Sequence, residues 1–156
     1  MKTHNILSNE DFKTKIGSNS RLLGVDPGKK NIGLAICDEN QIVATPLKIL
    51  NKSKFETLLK EFNLIISENS IKGIVFGNPI NMDGSMGKSH QSVNDFAVNL
   101  SKNITIPITL WDERLSSEAA FKIINELDVN TSNKVKNLDK NAAAFILQGA
   151  IDFFKN

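Results

Sequence analysis

Apolar residues along this chain alternate between two spacings, and the change-over points divide it into strands and helices. Leu22, Leu23 and Val25 form a compact apolar run that ends in a carboxylate, Asp26, and Ile32, Leu34, Ala35 and Ile36 form another after the Pro27-Gly28 turn. With the segment that follows they predict three successive strands, over 22–26, 32–37 and 41–50. Short turns join these strands, Asp38-Glu39-Asn40 most clearly, so an antiparallel arrangement is expected. Phe55, Leu58, Leu59, Phe62, Ile65 and Ile66 then recur at helical spacing. Ile71 to Gly77 reads as a buried strand, Val93, Phe96, Ala97 and Leu100 as a second helical stripe, and Ile104 to Trp111 as a last strand. Ala119, Ala120, Ile123, Ile124 and Leu127 predict a third helix, and Ala142 to Phe154 a final one.

The resulting order, β-β-β-α-β-α-β-α-α, predicts an α/β fold. Its sheet would be mixed and five-stranded, three antiparallel strands followed by parallel ones, with helices on both faces. Residues 1–20 are polar and weakly patterned, apart from a short helix around Glu10 to Ile16. They are expected to form an accessory extension to a domain of residues 21–156.

Composition narrows the function classes only a little. At 156 residues the chain is long enough for one domain with a real core, and 40% apolar with 23% charged residues is ordinary for a globular protein. A formal charge of +2 permits a nucleic-acid partner without requiring one. The single cysteine, Cys37, leaves no internal disulfide and suits a reducing compartment. No apolar run resembles a signal peptide or approaches the roughly 20 residues of a membrane span. The expectation is a cytoplasmic protein with no membrane partner.

Three carboxylate positions stand out against this framework. Asp26 ends the first strand, Asp112-Glu113 follows the last strand directly in TLWDERLSS, and Asp139 starts the last helix in LDKNAAAFILQ. Ala143, Ile146 and Ala150 fall four, seven and eleven residues after Asp139, which puts it at the end of the apolar stripe facing the sheet. Each residue also has an ordinary structural explanation. Asp26 suits a turn before Pro27-Gly28, Asp112 or Glu113 suits an ion pair with Arg114, and Asp139 suits a helix N-cap. Strand ends are nevertheless where open α/β sheets gather functional groups. Carboxylates converging there would repel one another unless a cation relieved them. Oxygen-only ligands suit Mg²⁺ or Mn²⁺, whereas the isolated His4 and His90 argue against zinc. Two such ions roughly 4 Å apart would activate a water and stabilise the leaving oxygen in phosphodiester cleavage. Asp83-Gly84 and Gly87 predict a turn and loop over Asn78 to Lys88, where Lys88 and loop amides are placed to line a nucleic-acid groove. Trp111 reads as core packing, and a chain without Tyr is poorly suited to stacking several bases.

The segments GVDPGKKNIGLA, GNPINMDGSMGKSHQSVNDFA, DERLSS and LDKNAAAFILQ, in this order and spacing, also resemble the YqgF/RuvX-type family over about residues 21–154. These are small ribonuclease H-like proteins, also described as Holliday junction resolvases. The resemblance implies a ribonuclease H-like fold and metal-dependent phosphodiester hydrolysis, with a role in maturing the 5′ end of 16S ribosomal RNA. By motif position it implies Asp26, Glu113 and Asp139 as the catalytic, metal-holding acids, with Asp112 an alternative or additional ligand. Lys30 matches the family's basic residue after the glycine turn. With Lys29, Lys88 and Arg114 it makes up the expected contacts to nucleic acid.

The chain departs from the family at Asn31, where arginine is frequent, and at Asn78, where leucine is usual. Its Thr131 to Lys140 segment carries only Lys134, Lys136 and Lys140 where relatives are more densely basic, so weak, salt-sensitive binding is expected, with a ribosomal particle as a further partner. Two other functions stay open. One is a junction-resolving deoxyribonuclease acting on branched DNA, which needs two sites related by symmetry and so a homodimer rather than a monomer. The other is a ribosome- or nucleic-acid-associated factor with little catalysis of its own. An actin-like or sugar-kinase ATPase is set aside, because those proteins pair two such lobes and this chain holds one.

Overall fold

A computed structural model describes residues 5–78, 87–113 and 131–155, with backbone alone for 88–89 and 131–140. Strands β2 (Arg21–Pro27), β3 (Asn31–Cys37) and β4 (Ala44–Asn51) form the expected antiparallel meander. Strands β5 (Ile71–Asn78) and β6 (Ile108–Asp112) extend it on the other side of β2 in parallel, giving the mixed sheet.

Among the described residues the sheet has six strands rather than five, in the order β1-β6-β5-β2-β3-β4. The additional strand, β1 (Ile6–Leu7), comes from the segment expected to be an accessory extension and pairs in parallel with β6. Two residues are too few to show a strand period in sequence; the open edge of β6 supplies the partner. Helix α1 (Asn9–Ile16) follows, capped by the Ser8 hydroxyl accepting from the Asp11 N–H, and buries Phe12 and Ile16. Two other strand boundaries also move. Residues 41–43 belong to the turn, whose tip is held by the Asp38 carboxylate accepting from the Ile42 and Val43 N–H groups at 2.8 Å each. Those bonds, that to Val43 first, hold the Asp38 carboxyl below its usual pKa range. Strand β6 starts only at Ile108, after Pro107, which has no N–H to donate to a ladder.

Both faces of the sheet are apolar, and side chains alternate between them. Leu23, Val25, Ile74 and Phe76 face helices α2 (Phe55–Glu68) and α3 (Lys88–Ser101). Leu22, Val75 and Trp111 face α1 and the last helix, α4 (Thr131–Phe154). The third helix expected from the sequence, over 119–127, lies outside the described residues. Helix α4 starts earlier than its apolar stripe, so Asp139 lies inside the helix rather than at its start or in a cap. No helix among the described residues is long and apolar enough to cross a membrane.

Candidate active site

Strands β2, β5 and β6 are parallel, so their carboxyl ends share one edge of the sheet. Val25 pairs with Phe76, and Asn78 with Asp112, which brings Asp26 and the Asp112-Glu113 pair to that edge from positions far apart in the chain. Alternation then assigns faces. Gly24 lies under α4, where an added Cβ would stand 2.7 Å from Leu147 Cβ, and Asp26 is two residues further along the same face. Gly77 is also on this face, against Ile146, and Glu113 Oε2 is 3.3 Å from the position its Cβ would take. Glu113, just past the end of β6, therefore shares the α4 side with Asp26. Asp112 alternates with Trp111 and belongs by strand period to the α3 side.

Electrostatics record the same convergence. Glu113 is half-buried, and its pKa is raised above the usual carboxylate range. Desolvation is the largest cause, followed by the charge of Asp26 and then that of Asp112. A raised carboxyl facing two like charges is the expected signature of anions gathered with too little water around them. Among the described residues, no three His, Cys, Asp or Glu side chains are grouped closely enough to hold a metal ion by themselves.

The direction of α4 bears on Asp139, whose side chain lies outside the described residues. Phe154 packs on Phe12 with ring centroids 5.6 Å apart, and Phe12 covers Gly73 near the start of β5. Ile146 covers Gly77 near the end of β5. The helix thus runs antiparallel to β5, and followed back toward its N-terminus it approaches the strand ends. Asp139 stands one turn before Ala143, on that approach.

Lys29 and Lys30 are exposed in the turn between β2 and β3, directly after Asp26 and Pro27-Gly28. Lys88 opens α3, with only its backbone described, and Arg114 lies outside the described residues, as do residues 79–86, where the turn and loop were expected. A contact missed in the sequence joins described residues on either side of that stretch. Asn78 Oδ1 accepts from His90 Nδ1–H at 2.7 Å. The signal was Asn78 itself, a polar residue where leucine is usual in the resembling family; nothing in the spacing named His90 as its partner.

Comparison with known proteins follows the same line. The family model RuvX, described as Holliday junction resolvase, matches residues 20–153. A relative from Pelagibacter ubique named "Putative pre-16S rRNA nuclease" is 56% identical over 147 residues, covering 94% of this chain and 97% of its own. One of the same name from Rhodobacter capsulatus is 42% identical over 143 residues, covering 92% and 90%. Among solved structures, Thermus thermophilus RuvC in complex with Holliday junction substrate superposes with a TM-score of 0.52 at 10% identity, over 86% of this chain and 93% of its own. The yeast mitochondrial Holliday junction resolvase gives 0.50 at 12% identity, over 94% and 84%. Those two likenesses establish the ribonuclease H-like fold alone. The family match spans nearly the whole chain and the relatives exceed 50% and 40% identity. By that measure the chain belongs to the RuvX family.

Proposed function

We propose that this chain is a divalent-cation-dependent nuclease that hydrolyses phosphodiester bonds in the precursor of 16S ribosomal RNA, at its 5′ end. The observation that carries this reading is the raised carboxyl of Glu113 beside Asp26 and Asp112. A fold gains no stability from such crowding, so its use lies in what it attracts. The donor set is all oxygen and half-buried, which fits a hard divalent cation such as Mg²⁺ or Mn²⁺. Asp26 and Glu113, on one face, would hold the ion together with Asp139 from α4, while Asp112 adds charge from the other face. Such an ion supplies Lewis acidity and lowers the pKa of water for attack on phosphorus. Lys29 and Lys30, with Lys88 and Arg114, bind the phosphodiester backbone and hold its charge against the acids.

The RNA substrate and the ribosomal setting rest on the names carried by the relatives. Junction cleavage is the second reading, favoured by the description of the matching family model. Asp26→Asn is expected to abolish Mn²⁺- or Mg²⁺-dependent cleavage of precursor rRNA with the fold and RNA binding nearly unchanged. Undiminished cleavage by the purified variant rejects the site. Preference for a four-way DNA junction over precursor rRNA, by a dimeric protein, selects the second reading. Cellular function retained by a variant lacking all three acids would point instead to a non-catalytic factor.

A further inference from the structure

On the α2/α3 side of the same strand ends lies a cleft of about 480 Å³, within the range in which small ligands bind. We propose that it holds one unpaired nucleotide of the RNA strand whose neighbouring phosphodiester lies at the acids, a subsite that rests on the nuclease reading above. Three observations favour this occupant. First, position: the cleft is walled by Pro27, Gly28 and Lys29, which directly follow Asp26. Asp26 and Glu113 on the α4 side and the cleft therefore lie on opposite sides of one turn, and a strand crossing that turn reaches both. Second, shape and rigidity: Phe55 and Phe96 line the apolar wall, their rings edge-on at 6.3 Å and 89°. Phe96 is braced from behind by Phe62 and Phe76, at 5.9 and 5.7 Å, so the wall is formed before any ligand arrives. The Lys52 N–H donates to the Lys30 carbonyl at 2.9 Å and ties the turn to the connection before α2.

Third, charge: among the described residues, Lys29 and Lys52 are the charged residues of the lining, which includes no carboxylate. An apolar slot with two exposed ammonium groups suits a base with its phosphate, whereas a purely apolar partner would leave both cations without a counter-ion. Exposed Ser92 adds a hydroxyl for a base edge. A single slot is also consistent with a chain that lacks Tyr for serial stacking.

The test measures binding in EDTA, where no cleavage occurs, of a short single-stranded RNA and of an abasic phosphodiester strand of equal length. The wild type is expected to prefer the strand with bases by about tenfold. Ser92→Trp, which fills the cleft from an exposed helix position, should erase that preference. Lys52→Ala, at an exposed site, should weaken both strands and flatten the salt dependence. RNA carrying 4-thiouridine should cross-link to residues 52–58 or 92–99. Equal binding of the two strands, an unaltered preference in Ser92→Trp, or cross-links confined to other segments overturns the proposal. A change of oligomeric state in Ser92→Trp with RNA binding intact overturns it in favour of a protein interface. Cleavage by a wild type with no base preference removes the cleft and leaves the nuclease reading standing; base preference without metal-dependent cleavage does the reverse.

Discussion

Glu113 lies against Gly77, its Oε2 atom 3.3 Å from where a Cβ on that glycine would stand. The missing side chain gives the carboxylate room beside Ile146 at the end of β5. Gly77→Ala would push into both neighbours, and because Ile146 is buried it has little space to yield. The expected cost is about 1–3 kcal/mol of stability. Displacing Glu113 should also slow metal-dependent cleavage by about a hundredfold. Denaturant unfolding and cleavage rates check the two effects separately; a stable, fully active variant would show that Glu113 is not held here.

A second prediction follows from the raised Glu113 carboxyl. A carboxyl whose folded pKa lies above its unfolded value contributes stability only while protonated. That contribution is complete below the ordinary carboxylate range and is lost as pH rises through the raised pKa. At neutral pH without divalent ions the wild type should therefore be less stable than Glu113→Gln. The gap should close on acidification below the ordinary carboxylate range, and again at neutral pH on adding Mn²⁺ or Mg²⁺, which only the wild type binds well. Thermal unfolding across pH measures it. A Gln variant less stable than wild type in metal-free neutral buffer would contradict the assigned crowding.

Gly24 meets a harder obstacle than Gly77. A Cβ there would stand 2.7 Å from Leu147 Cβ and 3.1 Å from the Ala143 carbonyl oxygen. Neither atom moves with a rotamer, so Gly24→Ala must lift α4 off β2. The loss should reach or exceed about 3 kcal/mol, the upper end for core overpacking. It should also disturb the site, because the same helix carries Asp139. A smaller unfolding penalty than that of Gly77→Ala would mean that α4 is not seated this closely.

The Asn78–His90 bond predicts a coupling. Asn78→Leu leaves the half-buried His90 donor without its partner. The expected cost is about 1–3 kcal/mol. In the double variant with His90→Ala much of that cost should return, giving an interaction energy of about 0.5–3 kcal/mol in the cycle. Strict additivity would deny that the pair acts as a unit.

Residues whose consequences are local could be read from the chain itself. The apolar runs of β2, β3 and β5 and the stripe of α2 declared their elements, because period and burial are written in adjacent positions. Asp26, the Asp112-Glu113 pair and Asp139 stood out for the same reason: each sets charge beside an apolar run, and only the family resemblance preferred Glu113 within the pair. The tertiary structure alone decided what depended on partners remote in sequence. Ile6–Leu7 became a strand because β6 offers an open edge. Glu113 and Asp112 went to different sides because pairing with β5 fixes the register. His90 found Asn78, and Lys52 found the Lys30 carbonyl, only once helix and turn had docked. Period and propensity act between neighbours, whereas register, repulsion between carboxylates and the shape of a cleft arise from contacts that exist only after the chain has closed on itself.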